Sequence, residues 1–298
     1  MLSQSKNMNN LDFSNSVVCR PALAKDKAEV MEISSHIWEG GDYLPYVWDE
    51  WLADPQGMLG VAELAGRVVG VFKLTKFQED EWYMEGLRVH PDFRDRGVAS
   101  HIQHYVLETW RRIGGGLIRL VTASSNVKVH HMCEQSGFRR IAEFIPYRIE
   151  ILKEATDDFT PAKPGDASRA MEFVNHSQTH ALSRRLINLG WVFAEPQLKH
   201  FQETIESKHA WWWKGQVGYL SIWEDEEDGE IDPGIQLLAC PVDKLEEILM
   251  DYRRLMGEVG YRTAGWTAPN QPQVISALEK AGFRRSWDIS LYVFELKV

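Results

Sequence analysis

"VHPDFRDRGVASHIQHYVLETW", residues 89–110, sets two arginines and a glycine, within Arg94 to Gly97, between an apolar strand-like stretch and a helix-like one. The run "LRVHP" reads as the end of a strand, while Val98, Ile102, Tyr105, Val106, Trp110 and Ile113 recur at the spacing of an amphipathic helix. A helix N-terminus leaves amide N–H groups unpaired and carries about half a positive charge, so it favours phosphate oxygens. Gly97 lets a ligand come close to the backbone, Ala99 is nearly as small, and Arg94 and Arg96 add charge beside them. The stretch therefore reads as an anion-cradling strand, turn and helix, with solvated arginines in an ordinary loop as the alternative.

Upstream of this turn, "SVVCRPA" reads as a strand and "KDKAEVMEISSHIW" as a helix. An aromatic-rich insert, "GGDYLPYVWDEWLADP", precedes three strand candidates, "GMLGVAEL", "VVGVFKLTKF" and "EWYMEGLRVH". Downstream, "GGG" at 114–116 ends the helix, "LIRLVTA" is a buried-strand run, "HHMCEQSGF" is a short helix closed by Gly137, and "YRIEIL" is a strand. The order predicts an α/β chain built on a mixed sheet with helices on both faces. After the linker-like "KEATDDFT", the pattern returns: "PALAKDKAEVMEI" at 21–33 is echoed by "PAKPGDASRAMEF" at 161–173, and "CEQSGFRR" at 133–140 by "LEKAGFRR" at 278–285. One fold used twice is expected, with copies over 15–152 and 160–298. In the second half, "WWW" at 211–213 should alternate between the two faces of a strand, and "EDEEDGEID" from Glu224 should form a solvated hairpin tip.

The 298 residues leave room for two domains, and 33 basic against 43 acidic residues give a formal charge of −10 that discourages nucleic-acid or anionic-membrane binding. Three cysteines, far apart, read as free thiols of a reducing compartment. The polar first ~15 residues have no apolar stretch of the kind a signal peptide needs, and no later run approaches a membrane span, so a cytoplasmic location is expected. No metal site is expected: zinc spacings are absent, and the adjacent His130 and His131 point in different directions on a helix.

Arg94, Gly97 and Ala99 between a strand and a helix, followed by "HHMCEQSGF", resemble the Gcn5-related N-acetyltransferase (GNAT) superfamily, whose signature is Arg/Gln, two residues, Gly, one residue, then Gly/Ala. The resemblance implies acetyl-CoA as cosubstrate, its pyrophosphate cradled by the turn of Arg94, Asp95, Arg96, Gly97, Val98, Ala99 and Ser100. It further implies that the backbone of Leu87, Arg88 and Val89 holds the pantetheine arm and that Asn126 contacts it. In the second half "GIQLLA" passes through "CPV" straight into the helix "DKLEEILMDYRRLM", for which Asp243 and Glu246 suggest a capping box, and no glycine turn remains. The second copy is therefore expected to be degenerate, without a family-type CoA site.

Acetyl transfer to an amine needs a base for the ammonium proton and favours an acid for the leaving thiolate. Glu85 is the candidate base: it lies on the strand that ends at the turn, where alternation would put Glu85, Leu87 and Val89 on one face. A structural salt bridge to Arg88 or Arg119 is the alternative for it. The family's usual acid Tyr is replaced by Cys133, either a proton donor or an inert buried cysteine. The segment 36–48, "HIWEGGDYLPYVW", lies where the superfamily generally builds its acceptor site; there Asp42 could pair with an ammonium and Trp38, Tyr43 and Tyr46 could wall a pocket. "GGDYLP", "EGLRV" and "RDRGVA" are similar to strings found in the same order in the vertebrate histidine N-acetyltransferase group, which points to amino acids as acceptors. The expected function is transfer of acetyl from acetyl-CoA to the primary amine of a small molecule. A protein or peptide N-acetyltransferase and a non-catalytic acetyl-CoA sensor are the alternatives.

Overall fold

Short apolar runs separated by tight turns fold as an antiparallel meander: β1 (Val17–Pro21) pairs with β2 (Met58–Leu64), β2 with β3 (Arg67–Lys76) and β3 with β4 (Glu81–Val89). In this computed structural model residues 16–227 and 230–298 are described; the polar N-terminal segment and the tip of the acidic hairpin lie outside them. Ala65 and Gly66, both at positive φ, make the two-residue β2–β3 turn, a conformation matched to the twist of the strands it joins. The chain forms two compact units: residues up to Leu120 with His130–Arg139 and Glu295–Val298 make the first, and Val121–Val129 with Arg140–Phe294 make the second.

In the first unit, α1 (Lys27–Ser35) and α2 (Leu44–Ala53), the latter with Pro45 in its first turn, lay Val30, Ile33, Leu44, Trp48 and Trp51 against Leu59, Val61 and Val71 of the sheet. Helix α3 (Val98–Arg112) buries Val98, Ile102, Val106 and Trp110, the expected stripe; Ile113 falls past its end and is exposed. Gly114, Gly115 and Gly116, all at positive φ, turn the chain into β5 (Leu117–Ala123), which runs parallel to β4. Helix α4 (Val127–Gln135) is closed by Gly137 at φ +87°. Strand β6 (Arg139–Glu150) follows. Residues 140–152 belong to the second unit, although the sequence places them in the first copy, because β6 pairs with a strand of that unit from Phe144 to Glu150.

The second unit repeats the plan. Strand β7 (Phe159–Pro161) is followed by α5 (Ala167–His176), α6 (Gln178–Leu182), the small pair β8 (Ile187–Asn188) and β9 (Phe193–Ala194), and α7 (Leu198–Glu206). Then come β10 (Ala210–Trp213), β11 (Gly218–Glu227), β12 (Glu230–Ala239), α8 (Leu245–Val259) and β13 (Thr263–Pro269), the partner of β6. Helix α9 (Pro272–Lys280), β14 (Arg284–Arg285) and β15 (Leu291–Lys297) complete the chain. The ladder order β7-β10-β11-β12 is antiparallel throughout and ends on a parallel β12–β13 pair, the same sequence of pairings as β1 to β5. Trp211 and Trp213 pack in one core cluster with Ile248 and Tyr252, while Trp212 packs in another with Val174 and Phe201, as strand alternation requires. The chain is a mixed α/β protein in which one fold occurs twice. Helix α8 does not begin on a capping box: a 3₁₀ turn, Val242–Lys244, follows Pro241 and leads directly into it, leaving Lys244 at the N-cap position. No described helix is long and apolar enough to cross a membrane.

Candidate active site

Strand β4 pairs with β5 only at Glu81↔Leu117, Trp82↔Ile118 and Tyr83↔Arg119; from Met84 to Val89 its ladder partner is β3 alone. Buried Arg119 anchors the paired end, its guanidinium bonded to Glu81 and to Glu295 at 2.9 Å. Beyond that end the two parallel strands part, so one edge of the strand leading to the turn carries no ladder bonds.

The unpaired part of β4 is also bulged. Its register with β3 steps from Lys73↔Glu85 to Val71↔Arg88, so Gly86 and Leu87 together face the single residue Phe72. Gly86 stands at φ +65°, the conformation that a glycine-type bulge demands of its first residue. Because Val71 and Lys73 share a face of β3, their partners Glu85 and Arg88 share that face of β4. The alternation expected from sequence, with Glu85, Leu87 and Val89 on one side, is thus broken by the extra residue: Val89 pairs with Gly70 on the opposite side.

Glu85 is half-buried and accepts a hydrogen bond from the Thr75 hydroxyl. Burial pushes its carboxyl above the usual range; the Thr75 bond and the Lys73 charge pull it down, while Glu50 and Asp54 push it further up. Lys73 itself is fully buried and paired with Asp54. The arginines considered as salt-bridge partners for Glu85 are engaged elsewhere, Arg119 with Glu81 and Glu295, and Arg88 with Asp42.

Asp42 is buried, and its carboxylate accepts from Ser34 Oγ at 3.0 Å, Arg88 Nη2 at 3.0 Å and Arg88 Nε at 3.3 Å. It therefore faces a guanidinium, where the sequence reading had it facing an acceptor ammonium. The Arg88 guanidinium lies 4.9 Å from the Trp38 ring and 5.4 Å from the Tyr43 ring. Tyr43 sits edge-on to Trp51; burial raises its phenol pKa, Arg88 opposes the rise, and Glu85 and Asp42 add to it. Glu85, Arg88, Asp42, Tyr43 and Trp38 thus gather on one side of the sheet, whereas Tyr46 is 88% exposed. Thr75, Trp51 and the Lys73–Asp54 pair were not read as part of this cluster. The one signal for the bulge that assembles it was an isolated glycine inside a strand pattern.

At the end of β4 the chain makes a 3₁₀ turn, Pro91–Phe93, and enters α3 through Gly97, an N-cap residue at φ +83° with no side-chain cap. The first intrahelical amide is His101, bonded to Gly97 O at 3.0 Å, so the amides of Val98, Ala99 and Ser100 have no partner within the helix. Arg94, Asp95, Arg96, Gly97 and Ser100 are exposed; Arg94 Nε donates to Val89 O at 3.2 Å, tying the turn to the strand end. A bare helix start opening on an αL glycine between two arginines has the chemistry of a diphosphate cradle.

Cys133 is fully buried on α4, and burial pushes its thiol up to about 12, which makes it a poor proton donor. Asn126 is exposed just ahead of α4, in a segment that belongs to the second unit. Glu32, His36 and His90 bring ligating atoms within 4.8 Å of one another. His90 Nδ1 already accepts from Asp92 N at 3.1 Å, which puts the ring proton of a neutral imidazole on Nε2, where it donates to Glu32 Oε1 at 3.0 Å; with no lone pair left for a ligand, this ring suits hydrogen bonding better than a cation. The second unit keeps a bulge of the same kind, stepping from Ser221↔Leu237 to Trp223↔Gly234, but Gly234 stands where Glu85 does and no residue from Cys240 to Lys244 has positive φ.

The model of the Acetyltransferase (GNAT) family matches residues 27–138. Histidine N-acetyltransferase of Xenopus tropicalis is 34% identical over 88 residues, which is 29% of this chain and 27% of that protein. Probable N-acetyltransferase 16 of Homo sapiens is 34% identical over 92 residues, 30% of this chain and 25% of that protein, so the chain aligns with about a quarter of each relative's length. Among solved structures, a tandem GNAT protein from the clavulanic acid biosynthesis pathway superposes with a TM-score of 0.58 at 14% identity, covering 94% of this chain and 98% of its own. A GCN5-related N-acetyltransferase from Sphaerobacter thermophilus superposes with a TM-score of 0.62 at 12% identity, covering 95% and 96%. The chain therefore carries a GNAT-family acetyltransferase domain over residues 27–138, set within a fold used twice.

Proposed function

We propose that the first copy, residues 15–152, transfers acetyl from acetyl-CoA to the primary amine of a small molecule, and that the second copy, residues 160–298, does not bind CoA. The observation that carries this reading is a half-buried carboxylate, Glu85, with a raised pKa, on the same strand that ends at the uncapped Gly97 turn. The amides of Val98, Ala99 and Ser100, with Arg94 and Arg96, would hold the diphosphate, and the free edge of Leu87–Val89 the pantetheine. Acetyl-CoA, when bound, supplies an activated acetyl thioester. Glu85 takes the proton of the acceptor ammonium, and the neutral nitrogen attacks the thioester carbon. The C–N bond forms as the C–S bond breaks, the second nitrogen proton goes to the departing sulfur, and Glu85 returns its own to solvent. Cys133 has no part in this scheme because its thiol is too weak an acid. The three free cysteines and the lack of a described membrane-crossing helix fit work in the cytoplasm.

Titration calorimetry and a CoA-release assay test the reading together. Acetyl-CoA should bind once per chain and Gly97→Glu should abolish binding, because a carboxylate and its bulk would meet the diphosphate. Small amines, in particular free amino acids such as histidine, should release CoA. Two binding sites per chain, or turnover with a peptide alone, would refute it; binding without turnover of any amine would make the protein a sensor.

A further inference from the structure

In the transfer proposed above, the second nitrogen proton has no carrier to the departing sulfur, and Cys133 is too weak an acid to supply one. Within the Glu85 cluster the phenol of Tyr43 is a weak-acid O–H that nothing has claimed. Arg88 hydrogen-bonds this hydroxyl, and because a guanidinium only donates, Tyr43 Oη is the acceptor and keeps its own hydrogen to give. No other hydrogen bond to it occurs among the described residues. Arg88 is held in turn by Asp42, which takes Nε and Nη2, and by Leu87 O, which takes Nη1 at 3.2 Å.

The Tyr43 ring is fixed as well. It meets the Trp51 indole edge-on at 5.9 Å and stacks with Trp38 at 6.5 Å, and the same indole of Trp51 lies against the positive-φ Gly86. Tyr43 is thus tied to β4 at Gly86, through Trp51, and at Arg88 directly, on either side of Leu87. Leu87 is the end nearest Glu85 of the free edge proposed for the pantetheine arm. The Tyr43 side chain is 37% exposed, so it is open to a ligand, whereas Cys133 is fully buried. A cation bonded to its oxygen is also what a phenol needs in order to part with its proton, since the phenolate left behind gains a charge-assisted hydrogen bond.

We infer that Tyr43 is a catalytic residue of the transfer, the one that gives the departing sulfur its proton. The inference rests on the acetyl-transfer reading above and completes its proton path. As the C–S bond breaks, its electron pair stays on sulfur and Tyr43 adds the phenolic proton there. The phenolate, held by Arg88, then takes the second proton of the nitrogen that has formed the C–N bond. Tyr43 ends as it began, and the one proton released overall is that which Glu85 returns to solvent. Arg88 acts through Tyr43 and is a positioning residue.

Tyr43→Phe keeps the ring beside Trp51 and Arg88 and removes only the O–H, and two measurements read its effect. In equilibrium binding, without turnover, wild type should hold CoA ~2- to 10-fold tighter than desulfo-CoA, the scale of one hydrogen bond to sulfur, and Tyr43→Phe should lose that preference while its acetyl-CoA affinity stays within a few-fold. In turnover, Tyr43→Phe should be ~10²-fold or more slower with acetyl-CoA but within a few-fold of wild type with S-(4-nitrophenyl) thioacetate, whose thiolate leaves without a proton. Where wild type does not accept the small donor, the binding comparison decides. Equal slowing with both donors, an unchanged rate with acetyl-CoA, or an undiminished preference for CoA over desulfo-CoA overturns the role of Tyr43 and leaves acetyl transfer standing. A wild type that acetylates no amine refutes acetyl transfer itself, and Tyr43 as its acid falls with it.

Discussion

Replacing Gly86 with alanine probes the bulge on which the whole cluster depends. A β-carbon at this position would stand 2.6 Å from Cζ3 and 2.9 Å from Cη2 of Trp51, and the backbone is at φ +65°. Left-handed backbone costs a non-glycine residue about 1–2 kcal/mol. Overpacking against a core ring adds about 1–3 kcal/mol, since Trp51 is itself only 8% exposed and has little room to retreat. The sum is a loss of about 2–5 kcal/mol from the first unit. Because a chain of two compact units need not unfold in one step, hydrogen exchange of β3 and β4 amides is the suitable assay, as it reports the opening free energy of that sheet alone. Trp51→Phe removes the indole atoms that the new methyl group would strike. In a double-mutant cycle the steric part, about 1–3 kcal/mol, should therefore vanish while the backbone part persists. A Gly86→Ala protein within about 0.5 kcal/mol of wild type, the scatter of ordinary surface changes, would show that the bulge is not held as described.

Glu85→Gln should lower turnover ~10²-fold or more with acetyl-CoA affinity kept, and it should remove the acidic limb of the kcat/KM profile, which in wild type falls as pH drops through the raised carboxyl pKa. The same variant should be more stable than wild type at neutral pH: a carboxyl whose folded pKa is raised contributes most below its unfolded value of about 4.3 and loses that contribution as pH rises through the folded one. Denaturation curves from pH 4 to 8 should show the gap opening with pH, and a constant gap would refute the burial argument. Cys133→Ala should keep turnover within a few-fold, whereas Cys133→Ser, which buries a hydroxyl, should cost about 1–3 kcal/mol in an unfolding titration; lost turnover in the alanine variant at unchanged stability would return Cys133 to the chemistry.

The repeated fold was legible because its signals are local: the Gly66 hairpin, the positive-φ glycines after α3 and α4, and the apolar stripe of α3 are each decided by neighbours in sequence. The Gly97 turn was legible for the same reason. The cluster around Glu85 was not, since it depends on a register step that moves Arg88 to the face of Glu85, and period-two reasoning assigns every residue beyond a bulge to the wrong side. Asp42 was read as a pocket carboxylate because nothing near it in sequence announces Arg88, 46 positions away, as its partner. The crossover of residues 140–152 to the second unit is likewise a matter of long-range strand pairing, which composition and spacing do not encode.

The two copies show what the cluster costs. In the first unit the residues flanking the bulge are Lys73 opposite Glu85 and Val71 opposite Arg88, so two charged pairs, Lys73–Asp54 and Arg88–Asp42, and a half-buried carboxyl held by Thr75 occupy ground that a sheet would ordinarily fill with apolar side chains. In the second unit the corresponding places are Trp223 opposite Gly234 and Ser221 opposite Leu237, with Leu237 buried and no charged side chain among the four. Burying a leucine such as Leu237 gains about 1.5–3 kcal/mol, whereas a desolvated carboxyl with no cation bonded to it works against the fold. The strand-to-helix turn has changed in the same sense, from an exposed αL glycine with uncapped amides to Pro241 and a 3₁₀ turn that leads straight into α8. On the proposed function, a copy without the cradle has no use for a base at this strand, and Gly234 and Leu237 can stand where Glu85 and Arg88 do. That Glu85 and Gly97 are both present in one copy and both replaced in the other is what physical coupling between a carboxylate that costs stability and the proposed ligand site at the turn would produce.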